Sequence, residues 1–329
     1  MPIQGGPARC VTRALRQSWF EYEVLSDRIL VVQRRMNGGQ HQLLSLNFAG
    51  QPQAIPLPEA FTSWAVSPDE AWLSLYIPDI LDPHLLHLPL KDSAGPGWRV
   101  PLEQQGSVYT KLAWSPGGEW VYLSSAQTGY FELRRMRPDG SQMSLWEGAF
   151  LGGYEFTLSP DGDTAIFSIL DYRGEEDGEL LRLRFPDLQL DRLTDDQDFD
   201  FDPLWSPGGE RLAVVNFADN RYTLQSLSPE GGERQILAGL GSSLVYPRWS
   251  ADGGWLLFHN TRDTFQSSQI YKVRAGGGDL QALTAGPHKD SNPQWGPAMQ
   301  ADWRPGWAGL WLGLLLGLGG LCWGRGGPV

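Results

Sequence analysis

Trp114-Ser115-Pro116-Gly117-Gly118 returns further along the chain as Trp205-Ser206-Pro207-Gly208-Gly209. Looser copies are Val66-Ser67-Pro68-Asp69-Glu70, Leu158-Ser159-Pro160-Asp161-Gly162, Trp249-Ser250-Ala251-Asp252-Gly253 and Trp295-Gly296-Pro297. The anchor position therefore falls at 67, 115, 159, 206, 250 and 296, in steps of 48, 44, 47, 44 and 46 residues. A period of that size marks a repeat architecture. The motif itself reads as a turn. Proline presets φ at the second place, aspartate or glycine suits the third, and glycine the fourth.

Working outward, each turn is followed by an apolar, β-branched or aromatic run at residues 71–77, 120–124, 164–170, 211–217 and 255–259. These runs are too short for helices and read as strands. A third strand is expected at 85–90, 131–136, 180–184, 222–227 and 269–273, and a short fourth at 98–102, 143–146, 190–194, 234–237 and 280–284. Further strands, such as 109–113 and 201–204, precede the turns. Four short strands per repeat describe a propeller blade. The repeat ends also align: Leu193-Thr194 and Leu283-Thr284 each lead, nine residues beyond the threonine, into Pro203-Leu204-Trp205 and Pro293-Gln294-Trp295.

On these residues the chain resembles the TolB-like (WD40-like) β-propeller repeat family, whose repeat runs Asp-Pro-x-Trp-Ser-Pro-Asp-Gly, two strands, Leu-Thr. Related units build the non-catalytic propellers of prolyl oligopeptidase relatives. The resemblance spans roughly residues 20–297. It implies an all-β, six-bladed β-propeller, with a seven-bladed ring or a truncated seventh blade as the alternative. The first repeat, residues 20–57, is degenerate, with Leu25-Ser26-Asp27 in place of the anchor. The strand before Trp295 is left over by the count. It is expected to pack into the first blade and close the ring, removing exposed edges and leaving residues 20–25 in an outer or irregular position.

The organisation expected is a tail at 1–18, a propeller at 19–297, a linker at 298–304, a transmembrane helix at 305–324 and a short tail at 325–329. Residues 305–324 hold no charge, and Arg304 and Arg325 bracket them. Twenty residues match a bilayer core as a helix. Trp307, Trp311 and Trp323 lie towards the ends, where an aromatic belt belongs. Gly309, Gly313 and Gly317 fall on one face of that helix, the spacing that lets two helices pair as a dimer. The membrane is therefore the expected location, through a single C-terminal anchor. Taken literally the propeller lies in the cytoplasm, whereas the family resemblance implies the far side of the membrane.

Chemistry is sparse. A net charge of −12 without a basic stripe argues against nucleic acid. Cys10 and Cys322 stand at opposite ends. There is no zinc-type cysteine pair, no Gly-x-Ser-x-Gly elbow and no dinucleotide fingerprint, so no catalytic residue or organic cofactor is assigned. His84 and His87 sit three apart on a strand, on opposite faces, which disfavours a shared metal. The one concentration is acidic. Asp171, Glu175, Glu176, Asp177 and Glu179 follow the second strand of the fourth repeat; Asp195, Asp196, Asp198, Asp200 and Asp202 link it to the fifth. Both loops belong at the same rim. A solvated charged surface is the plainest account of such a run. The sharper one is a binding surface for a basic protein or peptide, with the alternating Asp198, Asp200 and Asp202 as a Ca²⁺ site. The expected function is a non-enzymatic, membrane-tethered binding module. The alternative is a hydrolase or lyase acting on polysaccharide or a small ligand at a pore-centred site.

Overall fold

The computed structural model describes residues 19–34, 42–47, 52–57, 60–79, 81–91, 96–102, 109–127, 130–148, 151–170, 178–185, 187–196, 198–240, 244–262, 267–285, 290–295, 314–317 and 320–322. Every regular element among them is a strand. The chain divides into two compact units: residues 1–57, 221–223 and 237–329 form one, and 58–220 with 224–236 the other.

The second unit carries three antiparallel meanders and most of a fourth, whose residues 221–223 and 237–240 fall in the first unit. They are β5 (Ser63–Val66), β6 (Trp72–Ile77), β7 (His84–Pro89) and β8 (Trp98–Pro101); β9 (Tyr109–Trp114), β10 (Val121–Gln127), β11 (Tyr130–Met136) and β12 (Ser144–Gly148); β13 (Leu151–Leu158), β14 (Thr164–Leu170), β15 (Gly178–Arg184) and β16 (Gln189–Arg192); and β17 (Phe199–Trp205), β18 (Leu212–Ala218), β19 (Arg221–Leu227) and β20 (Gln235–Leu240). A single parallel bridge, Gly178 to Phe199, joins the last two meanders. The first unit holds β1 (Trp19–Val24), β2 (Arg28–Arg34), β3 (Gln42–Asn47) and β4 (Pro52–Ile55), then β21 (Leu244–Trp249), β22 (Trp255–Arg262), β23 (Ser267–Arg274) and β24 (Gln281–Ala282). A three-stranded sheet of β25 (Asp290–Gln294), β26 (Leu314–Gly317) and β27 (Gly320–Cys322) completes it.

Apolar side chains form layers between successive sheets of the second unit. Tyr76, Leu85 and Val100 of one meander meet Leu112, Val121 and Leu123 of the next. Phe131 and Leu133 meet Phe167 and Leu181. Ile166 and Leu180 meet Leu212 and Val214. A strand covered on both faces has no reason to alternate, which is why the second strands read as unbroken apolar runs.

The repeated turn is scaffold. The serine is buried in all five full copies: Ser67, Ser115, Ser159, Ser206 and Ser250. Its backbone brackets the turn, as in Ser115 N–H to Trp120 O at 2.8 Å and Gly118 N–H to Ser115 O at 2.9 Å. Its hydroxyl oxygen accepts the amide five residues on, as from Trp120 at 3.0 Å and Arg211 at 3.0 Å. Where aspartate takes the third place, the same hydroxyl donates to it: Ser67 to Asp69, Ser159 to Asp161 and Ser250 to Asp252, each at 2.5 Å. Those bonds, with backbone amides behind them, hold all three carboxyls below their usual range. The fourth place takes positive φ, from 58° at Glu70 to 81° at Gly209, hence its glycines. Gly117 lacks the carboxylate, and a Cβ there meets nothing within 4 Å. Gly117→Asp should therefore stabilise the chain by about 0.5–1 kcal/mol in urea melts.

One sequence expectation changes. Residues 19–24 are not displaced outward: β1 pairs with β2 in unbroken register, Tyr22 opposite Val31, closed by Leu25 N–H to Arg28 O at 2.8 Å. A hairpin this tight closes at little entropic cost and wins over a strand from the far end of the chain. β25 accordingly does not join β2. It pairs with β26, and Trp295 packs on Leu257 and Ile270 while its indole donates to Arg248 O at 3.0 Å. Its link to the first sheet is Gln294 Nε2–H to Tyr22 O at 3.2 Å.

Of residues 305–324, the expected membrane segment, 314–317 and 320–322 are described. Leu314–Gly317 and Gly320–Cys322 are strands paired through Leu316 and Leu321. Among the described residues no helix is long and apolar enough to cross a membrane. Glycine is the poorest helix former after proline, and Gly317 and Gly320 stand at the inner ends of the paired strands. Gly309, Gly313 and the rest of the expected span lie outside the described residues, as do the tail at 1–18 and the linker at 298–304.

Candidate functional site

The acidic segment is built on the Leu-Thr end of the fourth repeat. Leu193 N–H donates to Leu180 O at 2.8 Å, and Leu180 N–H donates to Thr194 Oγ1 at 3.0 Å. The threonine hydroxyl thus extends the ladder by one bond after the strand has ended. The same pair recurs at Leu283 N–H to Ile270 O and Ile270 N–H to Thr284 Oγ1, 2.8 and 2.9 Å.

At the first of these corners the threonine hydroxyl donates onward to Glu179 Oε2 at 2.5 Å. Glu179 is buried, and its other oxygen accepts from Arg192 at 2.7 Å and from the Asp196 amide at 3.1 Å. Burial pushes its carboxyl above the ordinary glutamate range, although Thr194, Arg192 and the Asp196 amide pull it back. Arg192 also reaches Asp195 Oδ1 at 3.0 Å. Asp195 is 83% exposed at its side chain, so it points into solvent from an anchored stem.

Arg234, just ahead of β20, holds the other half. It grips Asp200 with both guanidinium nitrogens, at 2.5 and 3.1 Å, and Asp196 at 2.9 Å, while reaching Gln225 Oε1 at 3.3 Å. Asp200 is fully buried at its side chain and also accepts from Asn216 Nδ2 at 3.0 Å. The same amide reaches Asp198 Oδ2 at 3.3 Å. Burial opposes the charge on Arg234, but the Asp200 bond and the charges of Asp200, Asp196 and Asp198 outweigh it and raise its pKa. A two-nitrogen grip on one carboxylate is the strong form of this contact.

Glu179, Asp195, Asp196, Asp198 and Asp200 are thus brought together, around two arginines rather than around a vacant centre. Asp202 follows a different course. It takes a left-handed backbone, φ 51°, at the break in the ladder between Phe201 and Leu204. That break ends the alternation on which a shared Ca²⁺ site with Asp198 and Asp200 depends. Among the described residues no group of three or more histidine, cysteine or carboxylate side chains is placed to hold a metal ion. Asp171, Glu175, Glu176 and Asp177 lie outside the described residues. Sequence reasoning missed Arg192, Arg234, Asn216 and Thr194. The available signal was an arginine two places before the threonine, on the same strand face.

No family model matches the sequence. Over 112 residues the chain is 29% identical to an uncharacterized protein of Agrobacterium fabrum, a match covering 32% of this chain and 38% of that protein. Among solved structures it is similar to TolB from Acinetobacter baumannii, with a TM-score of 0.53 and 19% identity, over 79% of this chain and 66% of that one. The fold is a β-propeller. Other propeller-bearing structures align as well. A prolyl endopeptidase gives a TM-score of 0.61 at 15% identity over 86% of this chain and 45% of that one. An oligogalacturonate lyase in complex with manganese gives 0.63 at 11% identity over 89% and 92%. At these identities the likeness concerns the propeller scaffold alone, and scaffolds of this kind host unrelated activities.

Proposed function

We propose that this chain is a non-enzymatic propeller module that docks a basic protein or peptide on the segment from Asp195 to Asp200. One observation carries the proposal: Arg192 and Arg234 fix the buried Glu179 and Asp200, and so hold Asp195 and the half-exposed Asp196 outward on a pre-ordered stem. A pre-ordered charged lip loses little entropy on binding and steers partners of opposite charge. In this reading β25–β27 is a truncated seventh blade. The membrane tether belongs to the same proposal, supported by twenty uncharged residues of bilayer length at 305–324. Flotation with vesicles separates a tethered chain from one whose C-terminal strands stay paired to β25.

The docking test is calorimetric titration of the full chain with a lysine-rich decapeptide and with its glutamate-rich counterpart. Binding of the first and not the second is expected; binding of neither, or of both alike, contradicts the proposal. A second reading, a lyase or hydrolase on polysaccharide, is favoured by the near-complete alignment with the manganese-bound lyase. It predicts cleavage of oligogalacturonate by the full chain with added Mn²⁺, which the binding-module reading does not.

A further inference from the structure

His87 on β7 is completely buried, without a charged partner, at the seam between the β5–β8 and β9–β12 meanders. Its ring stacks on Trp98 of β8, centroids 4.6 Å apart, and meets Trp114 of β9 edge-on at 5.8 Å. Trp114 comes from the neighbouring meander. Its indole N–H donates to Ser74 Oγ at 2.9 Å, and Ser74 Oγ lies 2.7 Å from His87 Nδ1. Indole nitrogen can only donate, so the serine oxygen accepts there, and its one hydrogen has His87 Nδ1 as the acceptor within reach. That order places the imidazole proton on Nε2, which is buried and bonded to nothing.

We propose that the Trp114–Ser74–His87–Trp98 cluster is an acid-sensitive latch on the seam between these two meanders. Protonating His87 puts a hydrogen on Nδ1, where Ser74 already points its own. The serine hydrogen must turn away and loses its acceptor while the oxygen accepts from Nδ1 instead, and a charge appears at a site closed to water. Stacking of an imidazolium on Trp98 returns less than the burial of an unpaired charge costs.

No nearby group offers relief. On β7 itself, His84 is engaged with the Asp82 carbonyl and with Arg99. Arg99, on β8, is paired with Asp82. On β9, Lys111 donates to Phe156 O. On the turn that receives the Trp98 indole at Pro138 O, Arg137 is paired with Glu119, and Asp139 caps the Ser141 amide. β6 carries no charged side chain. Burial alone pulls the His87 imidazole from 6.5 down to about 4. The open form takes up a proton that the closed form refuses. The latch is therefore at full strength above pH 6.5 and weakens as pH falls through that window towards 4.

The test is hydrogen exchange on the full chain, corrected for intrinsic rates, between pH 7 and pH 4. Protection of the peptides covering β7, β8 and β9 should fall about tenfold or more before other segments open. His87→Asn keeps an acceptor for Ser74 and cannot titrate, so it should abolish this step. His259→Asn removes another buried histidine, also held near pH 4, and should leave the step in place. Should His87→Asn not fold, the ring signals of wild-type His87 in NMR serve: they should titrate in the same pH window in which protection falls. An identical acid step in His87→Asn, a His87 ring that titrates apart from the step, or opening of all segments together overturns the proposal.

Discussion

The Thr194 and Thr284 corners have one backbone and two chemistries. Both extend the ladder with a threonine hydroxyl, at 3.0 and 2.9 Å. The residue before the bonded amide is Glu179 at one corner and Gln269 at the other, both buried. Two places before the threonine stand Arg192 and Ala282. The neutral corner makes its turn without an ion pair in either place. The charges at the Thr194 corner are therefore additions to the scaffold, and the extra carboxylates that follow, Asp195 and Asp196, reach solvent.

The sharpest way to break that comparison is Arg234→Ala. It leaves the Asp200 carboxylate buried without its guanidinium, and should cost about 3–5 kcal/mol in chemical denaturation. Loss of under about 1 kcal/mol would mean that the grip on Asp200 adds nothing. Next comes threonine replacement at both corners. Thr194→Val strands a buried amide and a buried carboxylate, about 1–3 kcal/mol, while Thr284→Val in the neutral corner should cost nearer about 1 kcal/mol. Equal costs would show that Glu179 draws nothing from Thr194.

The smallest effect is expected from Glu179→Gln, which gives the charged corner the residue of the neutral one. The change should stay within about 1 kcal/mol at pH 7. Its pH dependence carries the information. The Glu179 carboxyl is raised on folding, so its contribution is fullest below the ordinary glutamate range and is lost as pH rises through the folded value. Wild type should thus lose stability relative to Glu179→Gln as pH climbs through that range. A flat difference contradicts the burial of a charged Glu179.

The fold was legible because its signals are local. Ser-Pro-x-Gly turns and short apolar runs specify the meanders, and Leu193-Thr194 marks a hydrogen bond that repeats at Thr284. Ring closure was misplaced because it pits β1 against β25, two strands at opposite ends of the chain. That contest is decided by the tight turn at Ser26-Asp27 and by where Trp295 packs, neither of which a repeat count weighs. The acidic run was visible, but not the two arginines that tie it down. Arg234 lies more than thirty residues from Asp200, and only the meander of β17–β20 brings it back. Similarly, Asp202 seemed to continue an alternation that the break beside Pro203 ends.

The most direct test of the docking surface is the salt dependence of lysine-rich decapeptide binding to wild type and to Asp195→Asn/Asp196→Asn. The account predicts that wild-type affinity falls steeply as NaCl rises, and that the double variant binds about tenfold more weakly with a shallower slope. Equal affinity and equal slope for the two proteins would contradict it.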